Sequence, residues 1–226
     1  MNRRWRVAIA ACTLAAAQAH GGEFVPPGGS FRVHVESLKE RRFRTVLKQL
    51  YDYSCGAAAA ATLLSRHYAR STSEEEAVAA MLAHGDPARI VREGFSMLDL
   101  KQLLVSRGLQ ADGYRLTLDQ LVGHGVPAIA LLSEQGYKHF VVVQGMRGGR
   151  VLLGDPATGL RAISRARFEA ASTGVFLVAR NDAATARATF NDARAWSAAP
   201  PAPLENALTR DAVAPRLLAL PGPHDF

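Results

Sequence analysis

The chain holds one set of side chains suited to acyl transfer through sulfur: Cys55, His139 and Asp155, with Gln49 six residues before the cysteine. A thiolate attacks a carbonyl carbon. An imidazole manages the proton, and a carboxylate fixes the ring's tautomer and balances its charge. The oxyanion that develops needs N–H donors. The backbone amide of Cys55 is one candidate and the Gln49 side chain another; the plainer reading of Gln49 is an ordinary strand-end residue.

Cys55 stands in Ser54-Cys55-Gly56, directly before the alanine run of residues 57–61. Alanine is the strongest helix former, so this run predicts a helix reaching to about residue 69, with Cys55 at its N-terminus. Unpaired amides and the macrodipole there favour thiolate. The alternative reading of Cys55 is a thiol buried in a helix-packed core.

Seven histidines compete for the role of base. His20, His34 and His224 lie near the ends. His67 falls too far along the cysteine helix, and His84 and His124 precede helix-ending glycines. His139 instead enters a run rich in β-branched residues, His139-Phe140-Val141-Val142-Val143. The Gly148-Gly149 turn then returns the chain through residues 151–153 to Asp155. In such a hairpin the outer ends of the strands meet, so Asp155 can reach His139. Taken alone, Asp155 before Pro156 reads as a turn-starting residue.

The elements that must hold these groups follow a helix-then-strand order. Residues 31–35 alternate as a strand, residues 37–42 turn, and residues 43–47 read as a second strand. Ser73 with Glu76, Ser96 with Asp99 and Thr117 with Gln120 mark three helix starts. Gly85-Asp86-Pro87 reads as a break. Glu74, Glu75 and Glu76 read as first-turn acids that complement the dipole. Strands follow at residues 128–132, 139–143, 151–153 and 175–178, with a short helix at 164–170. The pattern is α+β, with a nucleophile helix packed on a C-terminal antiparallel sheet and a cleft where the halves meet. From residue 181 onward the chain reads as an Ala/Pro-rich, loosely packed tail, with short helical pieces near 182–196 and 204–220.

Residues 1–19 read as a secretory signal: Arg3, Arg4 and Arg6, an apolar stretch too short to span a bilayer, then Ala17-Gln18-Ala19. Ile9-Ala10-Ala11-Cys12 loosely fits a lipobox, which would make Cys12 a lipidated terminus; the soluble reading is preferred. Cleavage removes three arginines and no acids, so the formal charge falls from +7 to +4. That balance, with scattered arginines, makes no case for nucleic acid. It also leaves Cys55 as the lone thiol of an exported chain, a liability unless buried or used. The domain reading is signal 1–19, lead-in and first strand 20–40, catalytic domain 41–180 and tail 181–226.

Gln49, Cys55-Gly56, His139-Phe140-Val141-Val142 and Asp155-Pro156-Ala157-x-Gly159 together resemble the C39 peptidases, bacterial double-glycine, bacteriocin-processing cysteine proteases. The resemblance covers about residues 40–180, including residues 94–99 and 127–129. It implies a papain-like fold with Cys55 as nucleophile, His139 as general base, Asp155 as its orienter and Gln49 as oxyanion-hole donor. It implies no metal or cofactor. Ser54 stands where the family often has Asp. The chain has no transmembrane helix and no Walker P-loop, so it looks like the exported, stand-alone branch, some members of which accompany functional-amyloid or other secretion systems. The expectation is a periplasmic or secreted endopeptidase acting on an exported peptide or protein, after small residues such as Gly-Gly, with no stable membrane insertion once the signal is cleaved. The alternatives are a non-cleaving binder or chaperone for an exported protein, and a papain-like amidase or transpeptidase acting on cell wall.

Overall fold

The computed structural model describes residues 36–134 and 136–199. The signal segment, the lead-in, the strand expected at 31–35 and the helical piece near 204–220 lie outside these residues.

The helical half begins with α1 (Leu38–Phe43), α2 (Cys55–Thr62), α3 (Glu74–His84), α4 (Pro87–Glu93) and α5 (Met97–Ser106). Strand β1 (Ala111–Arg115) and α6 (Leu118–His124) lead into β2 (Ala128–Glu134), β3 (Tyr137–Arg147), β4 (Arg150–Asp155) and β5 (Gly159–Ser164). Helix α7 (Arg165–Ala171), β6 (Ser172–Ala179), α8 (Ala183–Arg187) and α9 (Ala193–Ala198) complete the described chain. The six strands form one antiparallel sheet in the order β1-β6-β2-β3-β4-β5. The fold is α+β and papain-like.

Helix α2 is the axis of the molecule. All eight of its residues are buried. Methyl side chains let neighbouring backbones approach, and α2 packs on β3, α3 and α5. Gly56 is required by that closeness: a Cβ there would sit 2.8 Å from Leu100 Cδ1 and 3.2 Å from Phe140 Cδ2. The helix continues as a π turn over Leu63–His67 and stops before Ala69, whose φ is +52°. Alternation along β3 divides the core. Phe140 and Val142 join the α2 side, whereas Val141 and Val143 join Phe168 and Phe176 on the opposite face.

The three expected helix starts are present as capping boxes, at Ser73/Glu76, Ser96/Asp99 and Thr117/Gln120. The expected β3–β4 hairpin is present too. Other expectations need correction. Residues 37–42 are not a turn, and residues 43–47 are not a strand. The chain there is α1 followed by an irregular segment whose amides find other partners. Leu47 N donates to Thr62 Oγ1 (2.9 Å), and Val46 packs on Leu152 and Leu160. Asp86-Pro87 opens a helix as well as ending one: the Asp86 carboxylate accepts from Ala88 N and Arg89 N, and Pro87 occupies the first turn of α4. Residues 181–199 are packed, not loose. Ala186 and Ala199 are buried, Asn191 N donates to the Gln144 carbonyl (2.9 Å), and Arg147 lies 5.4 Å from the Trp196 ring centroid.

Candidate active site

Cys55 is the first residue of α2 and is 8% exposed. Ser54 precedes it but does not cap the helix with its side chain. The Ser54 Oγ instead donates to Glu74 Oε1 at 2.5 Å. The first amides of α2 are thus not consumed by their neighbour's hydroxyl.

His139 comes from the start of β3 and Asp155 from the end of β4, at the same end of one antiparallel ladder. The ring Nε2 lies 2.8 Å from Asp155 Oδ1. Nδ1 is buried without a hydrogen-bond partner. Cys55 is close enough to the ring to favour its charged form. The imidazole therefore has a carboxylate and a thiol as neighbours.

Burial is the largest single influence on His139 and disfavours the imidazolium. The hydrogen bond to Asp155 and the influence of Cys55, with the charges of both, outweigh it, and the pKa rises to about 9. Asp155 is 2% exposed, and burial opposes its ionisation. The hydrogen bond and charge of His139, the charge of Arg161 and the amide of Ala157 overcome that and hold the carboxyl at about 2. Each shift has the other group as a cause, so the two charges stabilise one another.

Asp155 is also the turn starter its sequence resembled. Its Oδ1 accepts from the amides of Ala157 (2.9 Å) and Thr158 (3.2 Å), and its Oδ2 from Arg161 Nε (2.9 Å). The turn that fixes this carboxylate closes on Gly159, at φ +80°. A Cβ at Gly159 would lie 2.7 Å from Arg42 Cβ and 2.9 Å from the Arg42 backbone, so a side chain is excluded by both space and conformation.

Gln49 is anchored beside this turn: its backbone N–H donates to the Pro156 carbonyl (3.0 Å). Its side-chain Nε2 donates to the Tyr51 carbonyl (3.1 Å), and its Oε1 is buried without a partner. The structure thus places Gln49 next to the Asp155 turn, with its donor turned toward its own loop.

A groove of about 680 Å³ opens over the sulfur. Its walls include Tyr53, Phe95 and Met97 on the helical side and Tyr137 and Phe140 on the sheet side. The Tyr137 ring stacks on His139, with centroids 5.9 Å apart. Tyr51 and Tyr53 stack at 5.4 Å, and Tyr53 tilts against Phe95 at 6.2 Å.

Reasoning from sequence missed two groups. Arg161 could be placed only once β5 was recognised, and that strand's residues, Gly-Leu-Arg-Ala-Ile-Ser, carry little β-branched signal. Glu74 does stand in the first turn of α3 as the sequence suggests, but it is 4% exposed and its side chain bonds to the 50–54 loop, which no local signal announces. Among the described residues, no group of His, Cys, Asp and Glu is arranged to hold a metal.

A buried thiol at a helix start, facing an imidazole held by a carboxylate on a papain-like sheet, defines a cysteine-hydrolase class of site. The model of the Peptidase C39 family matches residues 44–184, and the chain belongs to that family of cysteine peptidases. A probable functional amyloid protease, FapD, of Pseudomonas aeruginosa is 42% identical over 151 residues, 67% of either chain. Its namesake in Pseudomonas fluorescens is 40% identical over the same shares. Among solved structures, a double glycine motif protease from an AMS/PCAT transporter, in complex with the leader peptide, is 27% identical at a TM-score of 0.50. It covers 59% of this chain and 89% of that one. The peptidase domain of Streptococcus ComA, at 18% identity and a TM-score of 0.52, shares the fold over 60% of this chain and 96% of its own.

Proposed function

We propose that the protein is an exported, periplasmic endopeptidase in which Cys55, His139 and Asp155 form the catalytic triad and Gln49 completes the oxyanion hole. The Cys55 thiolate adds to a peptide carbonyl. The oxyanion is received by the Cys55 amide at the start of α2 and by the Gln49 side chain, which turns from the Tyr51 carbonyl to meet it. His139 protonates the leaving amine, and the C–N bond breaks. Water then attacks the thioester, with His139 taking its proton, and the peptide acid is released. Asp155 holds the ring throughout.

The observation that carries this reading is the 2.8 Å Nε2–Oδ1 contact between His139 and Asp155, on a ring that Cys55 also influences. An imidazolium with a pKa of about 9 is ready to protonate a leaving amine at neutral pH.

The substrate proposed is an exported protein or its leader, cut after small residues such as Gly-Gly, in a secretion or functional-amyloid system. The FapD relatives and the leader-bound double-glycine protease support that direction. Terminal sequencing of the proteins exported by wild-type and Cys55→Ala cells tests it. New termini after small residues should be present in the wild type and vanish in the variant. Identical termini in both strains would remove the proposal.

A further inference from the structure

Glu74 is a buried ionisable group that the mechanism leaves unused. It is the first residue of α3, and α3 is already capped without it. Ser73 Oγ accepts from Glu76 N, and Glu76 Oε2 accepts from Ser73 N, each at 3.1 Å. A first-turn acid whose only task is the helix end belongs in solvent. Glu74 turns inward instead, and its Oε2 is buried without a partner.

Its Oε1 makes two contacts, both to the loop that precedes the nucleophile. Leu50 N donates to it at 3.1 Å and Ser54 Oγ at 2.5 Å. From Ser54 the network continues. Tyr51 N donates to Ser54 Oγ at 3.1 Å, and the Tyr51 carbonyl accepts from both Ser54 N and Gln49 Nε2 at 3.1 Å. Ser54 Oγ carries one hydrogen, and the Tyr51 carbonyl lies only 2.9 Å away as a rival acceptor. The shorter partner is Glu74. With the hydrogen committed there, the Tyr51 carbonyl remains available to the Gln49 amide.

We infer that Glu74 is a positioning residue of the oxyanion hole: through Ser54 and the Leu50 amide it fixes the 49–54 loop, and with it the resting place of the Gln49 side chain. The inference rests on the reading of Cys55 as nucleophile and Gln49 as oxyanion donor. This carboxylate ties α3 to the loop before the cysteine, so a second helix helps set the geometry at the start of α2.

The test separates two reactions of the same sulfur. Acylation by the p-nitrophenyl ester of N-acetyl-Gly-Gly forms the S–C bond and expels p-nitrophenolate through an oxyanion. Alkylation by iodoacetamide displaces iodide and forms none. In Glu74→Gln and in Ser54→Ala, acylation should fall about tenfold or more, as for a misaligned oxyanion donor. Alkylation should stay within about twofold of wild type, because the thiol and imidazole are untouched. Adding either change to Gln49→Ala should cost nothing further, as expected for groups acting as one unit. Glu76→Ala, which removes the cap alone, should lower thermal stability and leave acylation unchanged. Wild-type acylation in both Glu74→Gln and Ser54→Ala overturns the inference. So does a parallel loss of acylation and alkylation, or additivity with Gln49→Ala. Wild-type acylation in Cys55→Ala would instead remove the underlying assignment of the nucleophile, and is distinct from all of these.

Discussion

Single residues carry the chemistry, and each has a different expected cost. Cys55→Ala and His139→Ala should abolish peptide turnover. Asp155→Asn should lower kcat/KM by roughly 10² to 10⁴, since the ring loses its tautomer control and its counter-charge. Gln49→Ala should cost about 10² to 10³, the scale of one oxyanion donor. The ionisation of the pair has a sign that can be checked by thermal unfolding. His139 is raised from 6.5 to about 9, so its contribution to stability is fully present below pH 6.5 and is lost as pH rises through 9. Asp155 is lowered from 3.8 to about 2, so its contribution is present above pH 3.8 and is lost as pH falls through 2. The Tm advantage of wild type over Asp155→Asn should therefore be widest between pH 3.8 and 6.5 and should narrow toward pH 9. An advantage that grows above pH 9 would contradict the charged pair.

The elements decide where these residues meet, and here the sequence was legible in some places and silent in others. Helix α2, the capping boxes and the β3–β4 hairpin were readable because each has a local cause: an alanine run, paired cap residues, and a Gly-Gly turn between β-branched strands. From the hairpin alone, the meeting of His139 and Asp155 followed. Strands β1 and β5 were not readable, because Ala-Asp-Gly-Tyr-Arg and Gly-Leu-Arg-Ala-Ile-Ser are weak strand formers whose pairing comes from the sheet. The inward turn of Glu74 had no local signal either, since its partners lie 20 and 24 residues away. Close packing at the start of α2 gives an element-scale prediction. Gly56→Ala should lower stability by about 1–3 kcal/mol, the usual cost of overpacking, measured by denaturant unfolding. Phe140 and Leu100 must yield to the added methyl group, so the sulfur should move with them and turnover should fall as well.

At the scale of the whole molecule, the segment beyond β6 closes the far end of the α2 helix. His67 sits in the π turn, 4% exposed, with Nδ1 2.7 Å from Thr189 Oγ1. Thr189 Oγ1 donates to the Ala186 carbonyl (2.9 Å), so its lone pair receives the Nδ1 proton. Burial, with the charge of Arg66, lowers the His67 pKa to about 4. As pH falls from 6.5 toward 4, the unfolded chain binds a proton that the folded ring refuses, and stability is lost across that window. His67→Gln should remove this part of the acid sensitivity, as followed by Tm against pH. A chain ending at Arg180 should unfold at a lower temperature than the chain described here, because Ala186 is fully buried and would have no counterpart.

The five alanines at positions 57–61, none with any exposed surface, have a further consequence. Alanine has no rotamers, so the rod behind the sulfur has nothing to adjust when its surroundings shift. The position of the Cys55 sulfur thus follows main-chain spacing. Enlarging any of these methyl groups therefore acts as a wedge, and engineers seeking altered specificity have freedom at the groove walls but almost none along this axle.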